Sequence, residues 1–252
     1  MTAPEDTEPA VAYSLDGVLA IIRLNDPRRR NALSKAIVSG VLAALDRARE
    51  DKARAIVITG TGRVFSAGAN IDDLQAGWMD GTDEETDPTR LFRALVDSPR
   101  VVIAAVQGPA VGGGFELTLC CDLVVAADSA FFQLPELGLG VIPNTGLARL
   151  AQIIGLRRAL DVILTRRRVG AAEALCTPHH TLHHCTHRRV HLRSVQEAAS
   201  GLGPESTPAP SARRHRRCRG TSPPFHAHAP LRSLALQVWW PGHGARRWRC
   251  SA

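Results

Sequence analysis

Three consecutive glycines, Gly112 to Gly114, sit between a strand-like run at Val101 to Gln107 and a helical run at Phe115 to Cys121, and glutamates follow at positions 116 and 136. Bare backbone lets a ligand approach the main chain closely, and the start of a helix leaves N–H groups unpaired in a field that favours negative charge. That is the make-up of an oxyanion site. Glu116 falls within about one turn of the helix start, and Glu136 follows a second strand-like run, so two carboxylates can converge on whatever the glycines hold. Proton transfer beside a polarised carbonyl is the chemistry such a set performs. A glycine triplet alone also fits a tight strand-to-helix turn, with Glu116 paired in the core and Glu136 a turn residue.

The flanking elements are readable from period and punctuation. Val11 to Leu15 and Val18 to Leu24 flank Asp16 and Gly17, a two-residue hairpin signal. A basic loop at Arg28 to Arg30 precedes Ser34, which is placed to cap a helix with Ile37, Val41, Leu45 and Ala48 on its apolar face. Ala55 to Thr59 is a short buried strand ended by Gly60 and Gly62. The segment FSAGAN (65–70) is a loop, and Asn70 or a neighbour starts a short helix that leaves N–H groups free. Asp80 to Asp87 reads as an acidic solvated loop and Leu91 to Val96 as a helix. Asp122 to Ala126 and Ala130 to Gln133 are strands. Residues 146–175 are helical in pattern, with Leu150, Ile153 and Ile154, then Leu160, Ile163 and Leu164, as apolar faces and Gly155 between them. Strands alternating with helices predict an α/β fold with mainly parallel pairing.

The net charge of +7 suggests an anionic partner until the chain is divided at Leu175. Residues 1–175 hold 19 basic and 22 acidic side chains, whereas residues 176–252 hold 12 arginines, two glutamates and neither Asp nor Lys. The second segment also carries all ten histidines and four of the six cysteines, so it is a different kind of sequence. MTAPEDTEPA (1–10) is acidic and proline-bearing, a flexible leader rather than a signal peptide. No apolar run approaches the roughly 20 residues a membrane span requires, which predicts a cytoplasmic protein with no membrane partner. Cys120 and Cys121, neighbours on one helix, read as small core residues and not as a bridge.

With GTGRVFSAGANIDDL (60–74) in place, five pieces stand in register: NALS (31–34), the GxxFSAGAN run, VQGPAVGGGFEL (106–117), the pair Cys121-Asp122, and FQLPELGLGVIP (132–143). Over residues 11–175 the chain resembles the crotonase, or enoyl-CoA hydratase/isomerase, family. The resemblance implies an α/β fold, a crotonase-like spiral of ββα units. It implies an oxyanion hole from the amides of Ala69 and Gly113, substrate contacts at Ala69, Asn70, Ile71, Asp72 and Gly113, and catalytic glutamates at Glu116 and Glu136. The activity implied is addition of water across the 2,3 double bond of a 2-enoyl-CoA, in fatty acid metabolism. No metal or redox cofactor is implied, since coenzyme A is part of the acyl-CoA thioester substrate. A homotrimer or dimer of trimers is the implied assembly. By the same resemblance the Arg28 to Arg30 loop borders the CoA nucleotide, so phosphate contact stands beside the plain reading of a solvated loop. One departure is local: NTGLAR (144–149) replaces the usual glycine-rich loop after Pro143.

The resemblance stops near Leu175, where the family continues into C-terminal capping helices. Residues 176–252 have instead the composition of GC-rich codons read out of frame, and are expected to form a disordered Arg/His/Pro-rich tail rather than a folded domain. Two rivals remain for that tail. His179 with His183 and His180 with His184, near Cys185, have the i, i+4 spacing of helical zinc ligands, though they match no recognised metal motif. Arg213 to Arg219 is dense enough to attract nucleic acid but has no binding module around it, so nucleic acid is not the expected partner. The alternative function is accordingly an inactive or impaired crotonase remnant whose basic tail meets anionic partners.

Overall fold

The computed structural model describes residues 8–78, 85–175 and 182–185, with only the backbone of 175 and 182–185. The first seven leader residues, most of the acidic loop, and the tail other than the backbone of 182–185 lie outside the described residues; that backbone, which carries His183, His184 and Cys185, is a strand and not the helix on which the i, i+4 zinc spacing depends.

The chain begins as expected, with β1 (Val11–Asp16) and β2 (Leu19–Leu24) in an antiparallel hairpin turned at Gly17, whose φ is 58°. A 3-10 turn at Pro27–Arg29 leads to α1 (Lys35–Glu50), capped by the Ser34 hydroxyl accepting from the Ile37 amide at 3.3 Å. Then follow β3 (Ala55–Gly60), α2 (Ile71–Gln75), α3 (Pro88–Val96), β4 (Val101–Val106), β5 (Ala110–Val111) and α4 (Gly113–Leu119). The remaining elements are β6 (Leu123–Ala127), β7 (Phe131–Gln133), α5 (Gly146–Ile154), α6 (Leu156–Thr165), β8 (Val169–Gly170), α7 (Ala171–Leu175) and β9 (Leu182–Cys185).

The larger sheet runs β1-β2-β3-β4-β6-β9, parallel throughout except for the opening hairpin. A second sheet, β5-β7-β8, is built from short strands. Both faces of the large sheet are covered, so its strands need not alternate apolar with polar residues. Ile56, Ile58, Val102, Ala104 and Val106 join the main core beneath the helices, while Val57, Ile103, Ala105 and Val125 form a smaller cluster on the opposite face. This explains why AIVI (55–58) and VVIAAV (101–106) are continuous apolar runs. Among the described residues no helix is long and apolar enough to cross a membrane.

Some boundaries differ from the sequence reading. Helix α3 starts three residues earlier than expected, because Pro88 suits a first helical position and the Asp87 carboxylate accepts from the Thr89 amide at 2.7 Å. In α1 the buried face also includes Val38 and Ala44, while Leu45 is half-buried. Helix α4 ends at Leu119, and Cys120 and Cys121 are free, buried thiols at its C-terminal end. Burial pushes the Cys120 thiol up to about 12 and that of Cys121 well above its ordinary value, which leaves neither reactive.

Candidate active site

Between β4 and α4 the chain makes a tight passage that only glycine tolerates. Gly112 sits at φ 53° and ψ −128°, and Gly113 and Gly114 are already the first residues of α4. A side chain at Gly112 is excluded twice. The backbone is in a region barred to L-residues, and a β-carbon there would lie 3.0 Å from Glu136 Oε1. On Gly113 a β-carbon would sit 3.7 Å from the Ala69 amide nitrogen and 3.9 Å from Glu116 Oε2. The space over the two glycines is therefore bordered by one carboxylate on each and by the FSAGAN loop.

That loop is held by backbone pairing. Phe65 and Val111 amides donate to the Pro109 and Ser66 carbonyls at 3.0 Å each, and the Leu33 and Asn70 amides donate to the Gly68 and Leu33 carbonyls at 2.7 and 3.0 Å. Among the described residues, the amides of Ala69 and Gly113 donate to no protein acceptor. Gly113 is free because it is the first residue of a helix, and Ala69 because the pairing uses its two neighbours instead. Two unpaired donors thus flank the same small space.

Asn31 and Gln107 stiffen the loop from behind, a role the sequence reading missed. Buried Asn31 donates through Nδ2 to the Thr61 and Val64 carbonyls at 2.9 and 2.8 Å, and its Oδ1 accepts from the Asp26 amide at 3.0 Å. Gln107 Nε2 donates to the Gly60 and Val64 carbonyls at 2.9 and 3.0 Å. Asn31 also holds a left-handed φ of 53°, which asparagine accepts better than most residues. An asparagine directly after three arginines was the available signal.

The two acids arrive on different supports. Glu116 projects from the first turn of α4, whose Phe115 ring packs on Phe132 of β7 with centroids 5.1 Å apart. Glu136 opens the 3-10 turn Glu136–Leu139 that follows β7. Glu116 is 5% exposed, and its Oε1 accepts from the Gly146 amide at 2.6 Å. Burial raises its pKa, while backbone donors at Gly146, Thr145 and Asn144 pull the other way. The NTGLAR segment that departs from the glycine-rich pattern is therefore the cradle of Glu116. Glu136 has less opposing its desolvation: burial, aided by the charge of Glu116, pushes it up to about 7. Its Oε2 is buried without a partner among the described residues.

The remaining predicted site residues lie at the edge of this arrangement. Asn70 is buried and its side chain accepts from the Asp73 amide at 3.2 Å, capping α2 as expected. Ile71 is 67% exposed, and Asp72 is exposed in the first turn of α2, so both face outward beside Ala69. Arg28 to Arg30 are exposed, with Arg29 paired to Asp26 at 3.7 Å. Among the described residues no three His, Cys, Asp or Glu side chains are grouped to hold a metal ion.

Comparison with known proteins gives a consistent result. The family description "Enoyl-CoA hydratase/isomerase" matches residues 15–177. A Mycobacterium bovis protein named "Probable enoyl-CoA hydratase" is 39% identical over 171 residues, which is 67% of this chain and 66% of its own. The chain spans slightly less than two thirds of the length of the curated relatives it matches. Among solved structures, carnitinyl-CoA hydratase from Mycobacterium avium superposes with a TM-score of 0.71 at 30% identity, covering 82% of this chain and 78% of the other. A Thermobifida fusca protein solved in complex with acetoacetyl-CoA superposes with a TM-score of 0.67 at 31% identity, covering 81% and 84%.

Proposed function

Because this chain belongs to the enoyl-CoA hydratase/isomerase family, we propose that it adds water across the 2,3 double bond of a 2-enoyl-CoA. The observation that carries the reading is the pairing of two unengaged amides, Ala69 and Gly113, with two carboxylates around one glycine-floored space. In this reading the thioester oxygen accepts from both amides, and its developing negative charge is met by dipoles already in place. Glu116, its Oε1 held by the Gly146 amide, takes a proton from water while the oxygen bonds to C3. The electron pair of the double bond moves through C2 onto the thioester oxygen. Glu136, whose raised pKa keeps a proton near neutral pH, donates it to C2, and after product leaves Glu116 gives its proton to solvent and Glu136 takes one up, which resets the pair. Water addition changes no net oxidation state, so the reaction calls for no redox cofactor.

The acyl-CoA substrate is supported by the family and by the acetoacetyl-CoA complex of the Thermobifida fusca relative. The test is direct. The full chain is mixed with a short 2-enoyl-CoA and the loss of enoyl absorbance is followed. Glu116→Gln and Glu136→Gln should each slow hydration by roughly 10²- to 10⁴-fold, since each removes a proton-transfer partner. Undiminished turnover in either variant overturns the two-acid reading.

A further inference from the structure

We propose that Leu33 is a positioning residue that sets the spacing between the two oxyanion donors, an inference that rests on the oxyanion reading above. Leu33 touches both halves. Its backbone brackets Ala69 on either side, with its amide donating to the Gly68 carbonyl at 2.7 Å and its carbonyl accepting from the Asn70 amide at 3.0 Å. This pairing occupies the neighbours and turns the Ala69 N–H away from Leu33, toward the open space. Its side chain does the second task. The Cδ1 methyl lies 3.2 Å from where a β-carbon on Gly113 would stand, so it presses directly on the bare face of that glycine. Leu33 is only 2% exposed, and the segment it belongs to is pinned at its far end, where the Lys35 amide donates to Asp73 Oδ2 at 3.0 Å.

The two donors belong to segments far apart in the chain, and neither carries a side chain that holds it to the other. Ala69 has only a methyl group, and Gly113 has nothing. The backbone pairing of Ser66 with Val111 joins the two segments, and a leucine whose backbone fixes one donor and whose terminal methyl abuts the other adds a side-chain spacer at the donors themselves. Removing the methyls should leave the Ala69 pairing intact and free Gly113 to drift, weakening the polarisation of a bound thioester more than its binding.

The experiment reads that polarisation. A cinnamoyl thioester of coenzyme A is bound to saturation by the full chain, and its absorption maximum is compared with that of the free compound. Withdrawal of electron density onto the thioester oxygen moves the band to the red. Leu33→Ala should lose most of the red shift and lower kcat by tenfold or more with KM changed less than threefold, and Leu33→Met should restore both. Leu95→Ala, which empties an equally buried position in α3, should lower thermal stability and keep the full red shift. A folded Leu33→Ala protein with the parent's red shift overturns the inference and leaves the oxyanion reading standing. Leu33→Met supplies the same judgement if the alanine variant does not fold: a red shift and kcat unchanged from the parent support the spacer, and a red shift lost despite the retained bulk overturns it. No red shift in the parent overturns the oxyanion reading and this inference together.

Discussion

At Glu136 a carboxyl that ordinarily ionises at 4.5 is pushed up to about 7 by burial, with Glu116 adding to the effect and one oxygen left without a partner. If this group delivers the proton to C2, kcat/KM for hydration should fall as pH rises through about 7, and a pH–rate profile should show that limb. Activity rising through the same window reverses the roles of the two acids. Gly113 makes a second residue-scale prediction. Gly113→Ala keeps the amide but places a methyl group 3.7 Å from the Ala69 nitrogen, in the space that the proposed reading gives to the thioester oxygen. Displacing a reacting carbonyl by about 1 Å is typically worth on the order of 10²-fold, so turnover should drop by that much while the fold persists. Competitive inhibition by a saturated acyl-CoA separates lost binding from lost chemistry. The sequence brought Glu116, Glu136 and the glycine turn towards one place through glycine, helix start and glutamate, whereas Ala69 was named through the family resemblance alone. The environments were not legible. Which acid is cradled by backbone and which is left bare depends on residues 144–146 folding back onto α4, a contact between segments 30 positions apart.

The loop between β3 and α2 stands or falls with its two side-chain amides. Asn31→Ala leaves the Thr61 carbonyl without the Nδ2 donor, at a cost of roughly 1–3 kcal/mol for a buried group left unpaired, while the Val64 carbonyl keeps the Gln107 Nε2 donor. Chemical denaturation should register that loss, and the activity remaining should be lower than stability alone explains, because the Ala69 donor hangs from the same loop. Equal stability of variant and parent sets this account aside. The helices and strands themselves were largely visible in advance. The Asp16-Gly17 hairpin, the Ser34 cap and the Asn70 cap all rest on local chemistry and occur where expected. The start of α3 was missed because Asp87 and Pro88 close an acidic stretch whose charge suggested solvent, although the same pair is a helix opening. The two-residue strand β5 has no periodicity to read, and it exists only because β7 pairs with it.

Across the molecule, the mainly parallel pairing followed from alternating apolar runs and helices, and the family resemblance supplied the spiral. Strand β9 had no such signal, since LHHC (182–185) lies in a segment without apolar period and is defined by pairing with β6. The raised Glu136 also bears on global stability. Its folded-state pKa lies above its unfolded value, so the stabilisation it confers is complete below about 4.5 and is lost as pH rises to about 7. Glu136→Gln should therefore gain stability relative to the parent across that window, a difference that melting curves at several pH values will show. A constant difference across the window contradicts the shift. Large apolar side chains beyond the site, among them Leu139 at 76% and Ile142 at 68% exposure, make the surface next to the Glu136 turn adhesive. Leu139→Lys with Ile142→Lys should raise the concentration at which the chain remains monodisperse in light scattering, and an unchanged onset of association locates the adhesion elsewhere. The free amides of Ala69 and Gly113 have a consequence for genetics. Because the proposed donors are peptide N–H groups, no substitution but proline, which carries no amide hydrogen, can delete them, and an alanine scan will pass over Ala69 altogether. A saturation library will detect these positions through proline and through bulk: proline lost outright, and tolerance among the rest falling with substituent volume whatever its charge or polarity, is the imprint that a main-chain catalyst leaves on a lineage of variants.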